Sequence, residues 1–305
     1  MSEVRIGFIG LGNMGGRMTR CIVDSGREVL GYDPVAESIR AAGATPSASA
    51  TALVGQVDVV LLSLPDSTVV EKVMLGDDGV IANLREGQIV VDLSTASPDS
   101  TRMIEHEVRS KSASYLDAGI SGGAAAAEKG ELTLMVGGED AALESVRPVL
   151  ELFARQIFRC GETGAGHTAK LLNNFLNAIA LAGTAEVMVA GKKAGLDLEV
   201  LLDVLNNSSG VNFATINRFP KIIKGDYLKG GLTNTLMLKD VVLYTELLGR
   251  LGVPSLNASG AIASFGLARS LGYADEISNT VVDAIGDISG HVRLHDSSPA
   301  EGNGS

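Results

Sequence analysis

Short apolar runs of strand length alternate with segments of helical periodicity through the first half of this chain, and helical periodicity alone fills most of the second. The first run, Val4-Arg5-Ile6-Gly7-Phe8-Ile9, breaks into Gly10-Leu11-Gly12-Asn13-Met14-Gly15 and then into helix-compatible sequence. Glu28-Val29-Leu30-Gly31-Tyr32-Asp33 follows as an alternating strand. Asp58-Val59-Val60-Leu61-Leu62-Ser63-Leu64-Pro65 is a continuous apolar run, the kind found in strands buried on both faces. The pattern returns at Gln88 to Thr95, Tyr115 to Ile120, Leu132 to Gly138 and Gln156 to Gly161. Repeated strand–helix alternation predicts an α/β architecture with a doubly wound sheet, in which ligands bind beyond the carboxyl ends of the strands. Leu64-Pro65, Ser94-Thr95 and Ser121-Gly122-Gly123 fall at such ends and are expected to face one crevice.

After about Gly166 the strand-like runs stop, and Ala, Leu and Asn at helical spacing continue to His291. This predicts a second, all-helical domain. Residues Ala165 to Gly195 contain no proline and read as one largely apolar helix, ~45 Å long at 1.5 Å per residue. A helix so long and apolar is expected to be buried between domains or subunits. The expected organisation is a dinucleotide-binding domain over 1–163, a helical substrate and oligomerisation domain over 164–295, and a disordered tail over 296–305, where the composition is that of a loop.

The glycine turn after the first strand is the motif with the most chemical content. Gly10 permits the tight turn, Gly12 lets the backbone approach a pyrophosphate, and Gly15 lets the following helix pack closely on the strand. The phosphates then sit at a helix N-terminus, where unpaired N–H groups and the macrodipole favour negative charge. Asp33 ends the second strand about 20 residues later, the distance expected of a carboxylate that reads ribose hydroxyls. It would repel the 2′-phosphate of NADP, and Pro34 follows where an NADP site would want a cation, so the expected cofactor is NAD. A solvated Asp at a strand end is the alternative reading.

Composition narrows the partners. With 305 residues, 45% of them hydrophobic and 20% charged, the chain is long enough for two medium globular domains. A formal net charge of −11 and the lack of a Lys/Arg cluster exclude a nucleic-acid surface. The N-terminus enters a strand without a signal-like region, and no apolar stretch reads as transmembrane, so a cytoplasmic protein with no membrane association is expected. Cys21 and Cys160 have no metal or disulfide spacing, and no metal is expected.

Lys170 lies near the start of the long helix, after Gly161-Glu162-Thr163-Gly164-Ala165-Gly166, with Asn173 and Asn174 on its face three and four residues on. An ammonium in an otherwise apolar helix must be paired or have a lowered pKa, and so placed it can donate a proton to a developing alkoxide. A surface lysine behind helix-capping glycines is the alternative. His167 shares this face, where a lone His is more often structural. Ser121-Gly122-Gly123 offers a hydroxyl and bare backbone N–H groups that suit a carboxylate guest, or else forms an ordinary turn. Lys239-Asp240 alone reads as an exposed charge pair.

Together these residues resemble the β-hydroxyacid dehydrogenase family, which includes 3-hydroxyisobutyrate dehydrogenases and tartronate semialdehyde reductases and is related to 6-phosphogluconate dehydrogenase. The resemblance covers nearly the whole chain, with four motifs in the family's order: Gly7 to Gly15, Ser121 to Gly123, Gly161 through Lys170 to Asn174, and Lys239-Asp240. It implies an N-terminal Rossmann domain and an all-helical C-terminal domain joined by the long helix. It implies NAD-dependent interconversion of a short 3-hydroxy acid and its semialdehyde. Lys170 and Asn174 would be catalytic, and Ser121, Gly122 and Gly123 would hold the small anionic hydroxy acid. The cofactor would meet Gly10, Leu11, Gly12, Asn13, Met14, Gly15, Asp33, Leu64, Pro65, Thr95 and Lys239. Two departures stand out: Gly119-Ile120 where the family usually has Pro-Val, and Leu232 near a position where many members carry phenylalanine. The competing readings are an imine-reducing or NADPH-linked semialdehyde or glyoxylate reductase on the same scaffold, against which Lys170 argues, and a non-catalytic NAD-sensing module. The long apolar helix points to a homodimer or homotetramer.

Overall fold

A computed structural model describes residues 4–77 and 79–295. The tail expected over 296–305 lies outside them. The chain divides into two compact units, Met1–Leu171 and Leu172–Ser305.

The first unit is built on one eight-stranded sheet. Its strands are β1 (Ile6–Ile9), β2 (Val29–Tyr32), β3 (Thr45–Pro46), β4 (Val59–Leu62), β5 (Ile89–Asp92), β6 (Ser114–Ser121), β7 (Leu132–Gly137) and β8 (Ala154–Gly161). They are ordered β3-β2-β1-β4-β5-β6-β7-β8. The order reverses between β1 and β4, the crevice where doubly wound sheets bind ligands. Strand burial follows the apolar runs: all of Ile6–Ile9 and Val59–Leu62 is buried. One side chain set packs as Ile6, Phe8, Leu116 and Leu134, and another as Ile9, Leu62, Val90 and Tyr115.

The sheet is not parallel throughout. β7 runs antiparallel to β6, with Ser121 opposite Thr133, and β8 is parallel to β7. A parallel pair needs a crossover of a dozen or more residues, and residues 122–131 are too few once they include the short helix Gly123–Glu128. The alternation in the sequence continued, but the connection length turned the chain back.

The second unit is helical. Its axis is the C-terminal part of the helix Ala165–Lys193, whose Phe175, Ala178, Leu181, Ala185 and Met188 pack with Phe219, Met237, Phe265 and Val281. Phe175 stacks on Tyr244 with ring centroids 3.9 Å apart. Contrary to the sequence expectation, this helix is long and apolar enough to cross a membrane by length and composition. Its buried residues are those of the unit's own core, which accounts for that composition.

The division between the units falls inside this helix rather than at its start. Its first turn stays with the sheet because Gly166 lies against strand backbone: a Cβ there would stand 2.4 Å from the carbonyl oxygens of both Asp117 and Met135.

Candidate active site

In the first unit the glycine turn leaves β1 through Gly10 at φ 87°, a conformation open to glycine and costly to other residues. A side chain at Gly15 would put its Cβ 1.9 Å from the Gly10 carbonyl oxygen, so the helix Gly15–Asp24 sits directly on the turn. Gly12 has the opposite surroundings, with nothing within 4 Å of a Cβ built there. No side chain caps the helix N-terminus. An open cradle over uncapped helix N–H groups fits the pyrophosphate of a dinucleotide.

Asp33 follows β2 and is tied to this turn. Its Oδ2 accepts a hydrogen bond from the Leu11 backbone N–H at 2.7 Å, and its Oδ1 accepts from Val35 N–H at 2.8 Å. Asn13 and Met14 complete the turn; the Asn13 carbonyl and side-chain oxygens accept from Arg17, whose guanidinium also pairs with Glu128 at 2.8 Å. Glu128 ends the short helix after Gly122, so this pair links the glycine turn to the segment that follows Ser121.

Leu64, Pro65 and Thr95 lie just past β4, which is next to β1, and β5, which is next to β4. A hydrogen-bond relay fixes these ends. Tyr115 donates to Asp92 Oδ2 at 2.9 Å, Asp92 Oδ1 accepts from Ser94 N–H at 3.0 Å, and Ser94 Oγ accepts from Leu64 N–H at 2.9 Å. Burial, reinforced by Asp92, pushes the Tyr115 phenol well above its ordinary pKa and keeps it a donor. Ser121 closes β6, and Gly122 and Gly123 turn at φ 125° and 67° into the short helix. A Cβ at Gly123 would meet nothing within 4 Å.

Lys170 is 7% exposed, which removes the surface-lysine reading. Two features fix its turn of helix. The buried Asp117 carboxylate on β6 accepts from Gly164 N–H and from His167 N–H, both at 2.7 Å, and so caps the helix. Gly119, two residues further along β6, lies against the lysine stem: a Cβ at 119 would stand 2.5 Å from Lys170 Cβ. Gly119, where the family usually has Pro, thus stands at a close approach of strand and helix at the candidate lysine. His167 is fully buried with Nδ1 2.7 Å from Thr101 Oγ1, a structural position.

Asn174, one turn after Lys170, belongs to the second unit and is 2% exposed. Its Nδ2 donates to Asp240 Oδ2 at 2.5 Å. Lys239 stands 3.0 Å from Asp240 Oδ1 as an ion pair without hydrogen-bond alignment. Lys239-Asp240 is thus no exposed pair, since the acid is 0% exposed and orients Asn174. Leu232 packs at the edge of this unit's core, its carbonyl accepting from Ser278 N–H at 2.8 Å.

The structure brings the glycine turn, Asp33, Leu64, Pro65, Thr95, Ser121 to Gly123 and Lys170 into one unit, and Asn174 and Lys239 into the other. Asp92, Asp117 and Asp240 were not singled out as site residues from the sequence. For the first two a signal existed: an acid inside an apolar strand must be paired, because an isolated buried carboxylate is too costly.

Comparison with known proteins bears on the family and the fold. Residues 5–161 match the NAD binding domain of 6-phosphogluconate dehydrogenase, and residues 164–285 match the NAD-binding family of NADP-dependent 3-hydroxyisobutyrate dehydrogenase. The chain is 38% identical over 281 residues to an NAD-dependent L-serine dehydrogenase of Pseudomonas aeruginosa, covering 89% of this chain and 94% of that one. It is 34% identical to a 2-(hydroxymethyl)glutarate dehydrogenase of Eubacterium barkeri, covering 92% and 94% of the two chains. Among solved structures, a 3-hydroxyisobutyrate dehydrogenase of Mycobacterium tuberculosis with L-serine superposes with a TM-score of 0.84 at 31% identity, covering 92% of this chain and 99% of that one.

Proposed function

The chain belongs to the β-hydroxyacid dehydrogenase family, and from that premise we propose that it interconverts a short 3-hydroxy acid and its semialdehyde, with Lys170 as general acid and base. It is an NAD-dependent oxidoreductase of hydroxy acids. The observation that carries the finer reading is the buried Lys170, held against Gly119 in a helix that Asp117 caps. A lysine placed so firmly can meet a carbinol oxygen in one geometry, and positioning of that kind is where most of the gain from intramolecular catalysis lies.

NAD, when bound, accepts the hydride from the carbinol carbon or returns it to the aldehyde. The glycine turn and the uncapped helix N-terminus hold its pyrophosphate. Asp33 places a carboxylate at the end of β2, which favours the ribose diol of NAD over the phosphate of NADP. Ser121, Gly122 and Gly123 hold the substrate carboxylate through the hydroxyl and backbone N–H groups. In oxidation Lys170 takes the hydroxyl proton, and in reduction it returns that proton to the forming alkoxide. We also infer a catalytic role for Asn174, which Asp240 orients within the second unit. L-Serine, 2-(hydroxymethyl)glutarate and 3-hydroxyisobutyrate, the compounds in the relatives' names, share a primary carbinol at the carbon β to a carboxylate, which supports this class.

The test is a screen of 3-hydroxy acids with NAD and NADP, followed by Lys170→Ala. Turnover should fall ~10²–10⁴-fold in kcat while NAD affinity and Tm hold. Lys170→Arg should rescue little, since a guanidinium keeps its proton near neutral pH. Gly123→Ala should raise KM for the acid and spare NAD affinity. Near-wild-type kcat in Lys170→Ala would sink the assignment. We also infer a homodimer or homotetramer, supported by the stripe of exposed Leu172, Leu176 and Val187 on the long helix. Sedimentation of Leu176→Asp as a monomer, against an oligomeric wild type, is the expected result.

A further inference from the structure

The turn of helix that carries Lys170 is tied to the segment after β5 by a chain of buried side-chain bonds, all within the first unit. His167, three residues before Lys170, is fully buried with its Nδ1 2.7 Å from Thr101 Oγ1. Thr101, also buried, donates from the same oxygen to the Ser97 carbonyl at 3.0 Å. A hydroxyl has one proton to give. With that proton on the Ser97 carbonyl, Thr101 must accept from His167, which places the ring hydrogen on Nδ1. His167 Nε2 has no hydrogen-bond partner among the described residues. The Nδ1–H tautomer leaves only a lone pair there, whereas the other would bury an unpaired donor, the rarer defect.

Ser97 anchors the far end. Its N–H donates to Ser67 Oγ at 2.8 Å, and its own Oγ caps the helix Pro98–Arg109. Three residues earlier, Ser94 Oγ accepts from Leu64 N–H at 2.9 Å. Thr95 therefore lies in a short arch held at both feet to the segment that follows β4. In the sheet, β4 and β5 stand on the side of β1 away from β2 and Asp33. A dinucleotide places one mononucleotide on each side of this crevice, so the arch meets the nicotinamide half when Asp33 reads the adenosine ribose.

We propose that His167 and Thr101 form a strut that sets the Lys170 turn against the Thr95 arch, which makes both of them positioning residues for proton transfer at the carbinol oxygen. The proposal rests on the reading of Lys170 as general acid and base. Asp117 fixes the start of the helix to β6 through backbone N–H groups of Gly164 and His167. A second bond, to the segment after a different strand, removes the rotation that a single anchor leaves free. The reaction needs that precision, because the proton leaves the oxygen while the hydride leaves the carbon bonded to it, and a misplacement of about 1 Å can cost ~10²-fold.

Thr101→Val removes the hydroxyl at nearly constant shape, and Thr101→Ser keeps it. With NAD and 3-hydroxyisobutyrate or L-serine, Thr101→Val should lower kcat roughly 10- to 100-fold while NAD affinity, read by titration, holds. Thr101→Ser should keep most of the wild-type kcat. His167→Asn, whose amide N–H can stand where Nδ1–H stood, should likewise outperform His167→Leu. In a Lys170→Ala background Thr101→Val should cost little more, since the strut acts through the lysine. An unchanged kcat in Thr101→Val with only Tm lowered overturns the proposal, as does a full further loss in the Lys170→Ala background. Near-wild-type kcat in Lys170→Ala alone overturns the reading of the lysine, and the proposal with it. Should Thr101→Val not fold, the two His167 variants give the same comparison. A measurement without turnover runs beside these. Nitrogen-15 shifts of the His167 ring, assigned by their loss in His167→Asn, should place the hydrogen on Nδ1. Hydrogen on Nε2 overturns the strut whether or not either acid is oxidised.

Discussion

In the sheet-bearing unit the candidate groups are held largely by main chain: Gly10 turns and Gly15 lies on the Gly10 carbonyl. In the helical unit polar groups are held by side chains: Asn174 by Asp240, 66 residues away, and Arg218 by Asn279 and Asn177, 61 and 41 residues away. A position defined by a close backbone approach demands one residue type, glycine, and leaves a local mark in the sequence. One defined by a distant hydrogen-bond partner leaves no such mark, because either partner alone is an ordinary polar residue.

The largest effect expected from breaking this contrast is at Gly15. Gly15→Ala drives a Cβ into a carbonyl oxygen that cannot move without the turn, and should cost about 3 kcal/mol of stability, read as a lowered denaturation midpoint. Gly12→Ala, in open space, should leave that midpoint in place and weaken NAD binding instead, as followed by titration. If both variants behave alike, the division of labour within the turn is wrong.

Next comes Asp117, where the sheet unit does use a side chain. Asp117→Ala strips the helix cap from Gly164 and His167 and should cost about 2 kcal/mol, with a fall in kcat as the turn bearing Lys170 loosens. A stability loss without any change in kcat would separate the cap from the chemistry.

In the helical unit Asp240→Ala leaves the Asn174 amide without its acceptor. A double-mutant cycle with Asn174→Ala should give a coupling of about 1–2 kcal/mol in stability. Additive effects would mean that the two residues act separately.

The smallest effect sharpens the contrast from outside the site. Arg5 hydrogen-bonds Asp58 at the surface and holds its carboxyl below the ordinary value. A lowered acid stabilises the fold above its unfolded pKa, and this contribution is lost as pH falls through the depressed value. Asp58→Asn should therefore lower Tm at neutral pH by no more than about 2 °C, with the difference from wild type vanishing in acid.

Much of the fold was legible in advance. Seven of the eight strands and the long helix coincide with runs of the predicted periodicity, because burial on both faces of a sheet, or along one face of a helix, imposes that periodicity locally. The two-residue β3 was too short to leave a pattern. The antiparallel turn-back at β7 was missed, since the segment before it is too short for a crossover although its sequence looks helical. At the site, the glycines and Asp33 could be read from spacing. That Asp33 also ties β2 to the Leu11 backbone could not, because the bond spans two elements.

The sequence by itself determined where the chain turns, which segments are buried, and which residue types stand at strand ends, for these follow from sterics and solvent exclusion acting on neighbours along the chain. Only the tertiary structure decided that Lys170 is buried, that Asp117 caps its helix, that Asp240 orients Asn174, and that Arg218 has the amides of Asn177 and Asn279 for partners. Those facts belong to pairs. The free energy of a charge or an amide depends on what stands within hydrogen-bond reach of it, and reach is set by packing between segments that the sequence keeps far apart.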